Sequence, residues 1–315
     1  MKKILICGGT GFIGRNLIEY FSQKSDHEVY ATHYKRDFPR TPANVCFKRV
    51  NLTDSSEVSQ VVKGMDIVIQ AAATTSGAKD TIQSPYHHVT DNAVMNSLIF
   101  RACFEHQVKH VVFLSCTVMY PQKDVPVREE DMNYQITDNY FGVGWTKVYL
   151  EKMSQFYAKI GNAKYTAIRH SNIYGPYDKY DLEKSHVFGA TVAKVETAKD
   201  GKVVVWGNGS EERDLLYVDD LTRFIDLALQ KQTSKFELIN VGYGKSVSIA
   251  KLVQLIIDQS KKKLVIEYDR TKPSIAFKLA LNIERAKNLY GWSPNVSLEE
   301  GIDKSLAWYR ENVRS

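Results

Sequence analysis

The sequence predicts an α/β fold: a doubly wound parallel sheet with a smaller C-terminal α/β unit interleaved with it. Three observations lead there. Short apolar runs alternate with amphipathic stretches through the first half of the chain. A glycine-rich loop, GGTGFIG, directly follows the first apolar run. After Pro176 the alternation gives way to a different pattern. Strand–helix alternation of this kind specifies parallel strands joined by right-handed crossovers.

The elements follow in order. KILICGG is a buried strand, and FIGRNLIEYFSQ is a helix with apolar residues at helical spacing. EVYATHY is a second strand, and VCFKRVNLTD a third that leads into the helix SSEVSQVVKG. DIVIQAAA is a fourth strand, followed after a loop by the helix TDNAVMNSLIFRACFEHQ. HVVFLSC and YTAIRHSNIYGP supply a fifth and a sixth. Residues 177–200 are polar and then helical, KVVVWGNG is a short strand, LLYVDDLTRFIDLALQ returns to a helix, and FELINVG is another sheet strand. The tail holds SIAKLVQLIIDQ, LVIEYD and LEEGIDKSLAWYRE. This pattern divides the chain into residues 1–175 plus about 214–243, and about 176–213 plus 244–315, without repeats or a low-complexity linker.

The chain of 315 residues is long enough for a full hydrophobic core, and its 43% hydrophobic and 25% charged residues are those of an ordinary soluble protein. A net charge of +6 suits an anionic small substrate, while no dense basic run argues for nucleic acid. Cys7, Cys46, Cys103 and Cys116 are widely spaced, so neither a zinc site nor a disulfide framework is suggested. The opening MKKILICGG lacks the length and cleavage site of a signal peptide, and no apolar run reaches the roughly 18 residues of a membrane span. A reducing cytoplasm is the expected location.

The loop places Gly8, Gly11 and Gly14 between the first strand and the first helix. Gly8 permits a sharp turn. Gly11 lets the backbone approach a pyrophosphate that faces the helix N-terminus, with Phe12 and Ile13 beside it. Gly14 lets helix and strand pack closely. In that setting the glycines indicate a Rossmann dinucleotide site, and Asn51, Leu52, Ala71 and Ala72 at the following strand ends complete it. An acid ending the second strand would bond the ribose hydroxyl of NAD, whereas basic residues would accept the phosphate of NADP. The sequence offers THYKR, so Lys35 and Arg36 lean toward NADP(H), with NAD(H) as the alternative.

These residues, and several later segments, resemble the extended short-chain dehydrogenase/reductase family, the NAD-dependent epimerases, dehydratases and reductases of nucleotide-linked sugars. HVVFLSCTVMYP is similar to the strand that carries its catalytic Ser or Thr. RHSNIYGP resembles its Arg-Pro-x-Asn-x-Tyr-Gly-Pro segment with His170 in place of proline, and Gln70 stands where a histidine is usual. ERDLLYVDDL, NVGYGKSVSI and YGWSPNVSLEEGIDKSLAWY resemble its later signatures. NIYGPYDKYDLEKSHVFGATVAK is similar to the GDP-fucose synthase branch, which aligns His186 with that branch's proton-donating histidine. The resemblance implies NAD(P)-dependent hydride transfer at a sugar carbon, usually C4, of a nucleotide-diphosphate sugar, with a GDP-sugar favoured and surface-polysaccharide biosynthesis as the setting. It makes the first unit the dinucleotide domain and the second the nucleotide-sugar domain. It also implies a homodimer formed through Val143, Thr146 and Leu150 and the helix around Asn92 to His106.

In this family a tyrosine exchanges the proton, its pKa lowered by a lysine four residues on that also bonds the nicotinamide ribose. Lys147, followed four residues later by Glu151, fixes the register and puts Val143 at the tyrosine position. The aligning hydroxyl's position holds Cys116, with Thr117 next. Tyr140 precedes Val143 by three residues, on the same face of a helix, though one turn shifts it by about 5.4 Å. Cys116, Tyr140, His186 and water held by Lys147 are therefore the candidate proton carriers, while Thr117 can align a hydroxyl but is a poor base. Asn172, Arg213 and Lys278 are the candidate substrate contacts, Arg213 being suited to bidentate phosphate recognition unless it pairs with Asp214 or Asp220. Two functional classes stand: a nucleotide-sugar oxidoreductase or epimerase, and a catalytically silent NAD(P)-binding regulator.

Overall fold

The computed structural model describes residues 1–37, 42–74, 85–182, 185–271 and 278–313. Its strands are β1 (Lys2–Cys7), β2 (His27–His33), β3 (Val45–Arg49), β4 (Ile67–Gln70), β5 (His110–Leu114), β6 (Lys164–His170), β7 (Asn172–Tyr174), β8 (Lys202–Trp206), β9 (Glu212–Tyr217), β10 (Phe236–Val241), β11 (Ser246–Ser248), β12 (Val265–Asp269) and β13 (Lys278–Leu279). Its helices are α1 (Phe12–Ser22), α2 (Ser55–Val62), α3 (Thr90–Glu105), α4 (Phe141–Ile160), α5 (Val187–Thr197), α6 (Val218–Lys231), α7 (Ile249–Ser260), α8 (Glu284–Tyr290) and α9 (Leu298–Asn312).

Seven strands form one sheet in the order β10-β6-β5-β4-β1-β2-β3, and each pairing is parallel. This is the doubly wound Rossmann sheet expected from the alternation. Its central strands are buried on both faces, as a parallel sheet covered by helices requires. Ile4, Ile6, Ile69 and Val112 pack toward α1 and α6. Leu5, Cys7, Val68, Val111 and Phe113 pack toward α2, α3 and α4. The period of two along each strand makes that division. The strand order reverses between β1 and β4, which opens a crevice at their carboxyl ends.

β9 is flanked by β11 and β13 in a second sheet, and β7 also pairs with it. β8 and β12 form a separate pair. Two sequence expectations change here. The run YTAIRHSNIYGP is not one strand. Ser171 N makes a bond to Val241 O of the main sheet, and Asn172 then pairs with Leu215 of β9. The helix expected from Leu215 starts instead at Val218, because Leu215, Leu216 and Tyr217 are held in register against Asn172, Ile173 and Tyr174. The buried Asp214 carboxylate ties this sheet down, accepting the N–H groups of Tyr243, Gly244 and Leu281 at 2.7–3.0 Å.

The helix α4 is fixed by a buried polar network. Glu151 accepts Nε and Nη2 of Arg169 at 2.9 and 2.7 Å and the Ser115 hydroxyl at 2.6 Å. Both side chains of the ion pair are almost fully enclosed, at 5% and 4% exposure. Arg169 also covers the Tyr120 ring, whose hydroxyl donates to Asn240. One helix is thereby joined to β5, β6 and β10. Thr146 and Leu150 belong to the monomer interior, so the exposed apolar residues of α4 are Phe141, Tyr149, Phe156 and Ile160. Among the described residues no helix is long and apolar enough to cross a membrane.

Removing one member of a buried pair strands the other charge, which costs about 3–5 kcal/mol. Arg169→Met is expected to lower the unfolding free energy by that amount in denaturant titration. Adding Glu151→Gln should recover part of the loss, and an Arg169→Met protein as stable as the wild type would contradict the assignment.

Candidate active site

The first half of the site is a cradle of backbone amides at the crevice. Gly8 turns the chain at φ +80°, where a Cβ would lie 2.6 Å from the Ala72 Cα. A Cβ on Gly14 would lie 2.1 Å from the carbonyl oxygen of Gly8, so only glycine lets α1 seat against the end of β1. Gly11 occupies the N-cap of α1 and no side chain caps the helix. The N–H groups of the first turn, Phe12 to Gly14, therefore have no intrahelical acceptor and face the crevice. Thr32 at the end of β2 holds the loop in place through Gly8 N and Gly9 N, at 3.0 and 2.7 Å. A pyrophosphate fits this cradle by charge and by the space the missing side chains leave.

The neighbouring strand ends complete that half. Beyond β2 come Tyr34, Lys35 and Arg36, all exposed, with Lys35 Nζ 5.8 Å from the Tyr34 ring centre. Asn51 is half-buried and its side-chain carbonyl accepts from Thr53, while Leu52 is buried against α2. Ala71 and Ala72 pass beside Gly8, with Ala71 N bonded to Cys7 O.

The second half gathers at the ends of β5 and β6. Lys147 donates to the Leu114 carbonyl at 2.7 Å and lies 4.8 Å from the Phe113 ring centre. Burial lowers its pKa, and Cys116 and Glu151 counter that shift. Val143, one turn earlier, is half-buried. Cys116 follows β5, half-buried. Burial pushes its thiol pKa up although the Lys147 charge opposes this, so the group is a thiol at neutral pH. Thr117 is next to it, its carbonyl taken by Tyr120 N.

Tyr140 ends a 3-10 turn, Asp138–Tyr140, that leads into α4. The tighter turn differs from the α-helical continuation on which the one-turn offset was reckoned. The ring is half-buried and burial raises its pKa. The Arg213 charge lowers it and Cys116 raises it, which puts the phenol within electrostatic reach of both. Arg213 lies on β9, with Nη1 donating to the Glu212 carbonyl at 2.9 Å. Asp214 is engaged by amides as described, and Asp220 by Arg223 and by Asn295 N and Val296 N. Asn172 donates to the Asp214 carbonyl at 3.2 Å, at the junction of the two sheets. Lys278 is in register with Glu212 and lies 3.7 Å from its carboxylate and 3.8 Å from Asp124.

His186 is the exposed N-cap residue of α5. Its crowded surroundings, and then the charges of Lys179 and His88, lower its pKa. After burial, the His186 charge is also among the causes that lower the pKa of His170, a residue that the sequence marked only as a departure from proline. His170 and His88 are the members of this cluster that sequence reasoning did not assign. The substitution beside Arg169 was the one available signal for His170.

A profile of the NAD dependent epimerase/dehydratase family matches residues 4–242. The chain is 30% identical over 323 residues to a GDP-L-fucose synthase of Sinorhizobium fredii, covering 99% of this chain and 96% of that protein. It is 26% identical to a GDP-L-colitose synthase of Yersinia pseudotuberculosis, covering 98% and 97%. The crystal structure of UDP-glucose 4-epimerase from Thermotoga maritima, with UDP-glucose, has a TM-score of 0.88 at 23% identity, with 99% of each chain covered.

The loop under α5 carries a buried acid. Asp178 accepts Lys179 N through Oδ1, while Oδ2 is enclosed with no hydrogen-bond partner among the described residues. Burial raises its pKa to about 7. A carboxyl that binds its proton more tightly when folded stabilises the fold fully below about pH 4, and that contribution is lost as pH rises through 7. Asp178→Asn is expected to flatten this slope, giving a higher melting temperature than wild type at pH 8 and a similar one at pH 4. Parallel melting curves for both proteins across that range would rule the assignment out.

Proposed function

Since the chain belongs to the NAD dependent epimerase/dehydratase family, we propose that it is an NAD(P)-dependent oxidoreductase acting on a nucleotide-linked sugar, with a GDP-sugar favoured. Hydride moves at a sugar carbon, C4, and the product enters surface-polysaccharide biosynthesis. What supports this reading is an uncapped glycine cradle after β1, a lysine bonded to the carbonyl end of β5 and an arginine on β9 whose charge acts on Tyr140.

Each group has a task in that scheme. The first-turn amides from Phe12 to Gly14 would hold the dinucleotide pyrophosphate, with Gly11 leaving room for its approach, while Gly8, Ala71 and Ala72 shape the floor. Asn51 and Leu52 border the adenine, and Lys35 and Arg36 take the 2′-phosphate that distinguishes NADP from NAD. Lys147 bonds the nicotinamide ribose. The bound dinucleotide supplies the hydride donor or acceptor. Arg213 grips the substrate diphosphate, assisted by Asn172 and Lys278, and Cys116 and Thr117 align the reacting oxygen. With Val143 unable to exchange a proton, Tyr140 and His186 are the neighbouring groups that can. Loss of acid–base help slows such a step by about 10²–10⁴-fold without abolishing it. The domain division at residues near 175, 214 and 243 then separates a dinucleotide unit from a nucleotide-sugar unit.

Val143 favours a second reading, a catalytically silent NAD(P)-binding regulator. Single-turnover assays separate the two. Protein, NAD(P) and a panel of GDP-sugars should give a change in reduced-nicotinamide absorbance, larger with NADP(H) than with NAD(H). Arg213→Ala should weaken nucleotide-sugar binding roughly 10-fold or more, the scale of a lost charged hydrogen bond, and spare the dinucleotide. No absorbance change with any sugar, in protein that binds dinucleotide, would sink the enzymatic reading.

The solvent-facing apolar row of α4, Phe141, Tyr149, Phe156 and Ile160, with Phe104 of α3, supports a homodimer through these two helices. Sedimentation should show a dimer that Phe156→Glu dissociates. A wild-type monomer at micromolar concentration would count against it.

A further inference from the structure

Asn16 ties the glycine cradle to a distant segment. It lies on α1 and is buried. Both hydrogens of its side-chain amide are engaged: Nδ2 donates to the Phe12 carbonyl and to the Pro176 carbonyl, each at 2.9 Å. The Phe12 carbonyl belongs to the same peptide unit as the Ile13 N–H, one of the first-turn amides without an intrahelical acceptor. Pro176 lies in the segment that leads from β7 to α5.

Tyr177 continues the contact. Its φ is +67°, in the left-handed region that is unfavourable for a residue with a Cβ. Such a backbone persists only where its surroundings hold it. Here α1 and α9 do so. The Arg15 guanidinium lies 5.4 Å from the ring centre, the hydroxyl donates to Glu19, and Trp308 meets the ring edge-on with centres 4.9 Å apart. Arg15, Asn16 and Glu19 recur at helical spacing, so one face of α1 grips Pro176 and Tyr177 just beyond the cradle.

The segment passes that position on to α5. The Tyr180 hydroxyl and Asp178 N both donate to the Gly175 carbonyl, at 2.8 and 3.3 Å. The Ser185 hydroxyl donates to the Lys179 carbonyl and accepts Asp181 N at 2.7 Å. A Cβ on Gly189 would lie 2.5 Å from the Lys179 carbonyl oxygen, so the first turn of α5 rests directly on this segment. His186 is the N-cap of that helix.

We propose that Asn16 and Tyr177 couple the two ligand sites: a dinucleotide on the cradle fixes Pro176, Tyr177 and the start of α5, and so raises the affinity for the nucleotide sugar. This rests on the function proposed above. An anion bound to the Ile13 N–H holds the peptide unit on which Asn16 rests. Asn16 then holds Pro176, and Tyr177 stays against α1. The first ligand thereby meets an ordering cost that the second would otherwise bear. By linkage the nucleotide sugar raises dinucleotide affinity by the same factor.

The test is calorimetric titration of the full chain with NADPH or NADH, whichever binds tighter, and with GDP, each alone and with the other saturating. The wild type should show mutual tightening of about 5-fold or more, equal in both directions. Tyr177→Gly accepts the same φ without the ring contacts. In that variant and in Asn16→Ala the factor should fall toward one, while GDP alone binds as it does to the wild type. Glu19→Ala, on the exposed side of α1, replaces either variant that does not fold. A wild-type factor of one, or variants that keep the wild-type factor, would overturn the proposal.

If GDP does not bind, the proposed substrate class fails by itself, and hydrogen–deuterium exchange with dinucleotide alone decides. Exchange at residues 177–181 that slows in the wild type but not in Tyr177→Gly supports the coupling. Exchange there that bound dinucleotide leaves unchanged refutes it, as does a chain that binds no dinucleotide.

Discussion

The bidentate contact between Arg169 and Glu151 is the constraint on which the site depends. Two charges taken from water inside the protein are costly unless their hydrogen-bonding capacity is met. Here Glu151 receives two bonds from Arg169 and one from Ser115, and Arg169 adds a bond to the Glu129 carbonyl. The pair fixes the rotation of α4 about its axis. Lys147 stands four residues before Glu151, on the same helix face. Pinning Glu151 to β5 and β6 therefore presses the lysine onto the Leu114 carbonyl at the crevice. The start of the helix, with Tyr140, is turned toward Cys116 and Arg213 by the same rotation.

A second constraint positions the other wall. The Asp214 carboxylate accepts three backbone N–H groups from two separate segments. That leaves β9 rigid next to the main sheet and sets its neighbour Arg213 at the junction. Asp220 plays a similar part at the start of α6, where it binds the Asn295 and Val296 amides. Of the acids that look like partners for Arg213 in the sequence, Asp214 receives backbone amides and Asp220 receives both backbone amides and the Arg223 guanidinium.

Much of this was legible in the sequence. The glycine spacing gave the cradle because Gly11 and Gly14 answer steric demands from Gly8 within a few residues, as the 2.1 Å approach at Gly14 makes plain. The Lys147–Glu151 spacing gave the helix register for the same reason. Features that depend on distant pairing were harder. The start of α6 was misplaced because Leu215–Tyr217 is apolar enough for either state, and only its pairing with β7 decides. Thr146 and Leu150 carry no local mark separating an interior face from an interface. Tyr140 came into play through a 3-10 entry that periodicity does not encode. His170 reads in the sequence only as a missing proline; what its Nδ1 meets, the Ser171 carbonyl oxygen at 2.8 Å, has no sequence mark.

The proposed chemistry separates two jobs that a single tyrosine usually combines: proton exchange, and contact with the sugar oxygen under the influence of lysine. In the proposed chemistry the lysine stays while Val143 holds the tyrosine position, so proton exchange falls to Tyr140 and His186. Its most direct test is isotope transfer. A GDP-hexose deuterated at C4 is incubated with the protein and oxidised dinucleotide, and both are recovered for mass spectrometry. The account predicts deuterium in the reduced nicotinamide and a C4 keto sugar. Deuterium retained wholly in the sugar, with both ligands demonstrably bound, would contradict it.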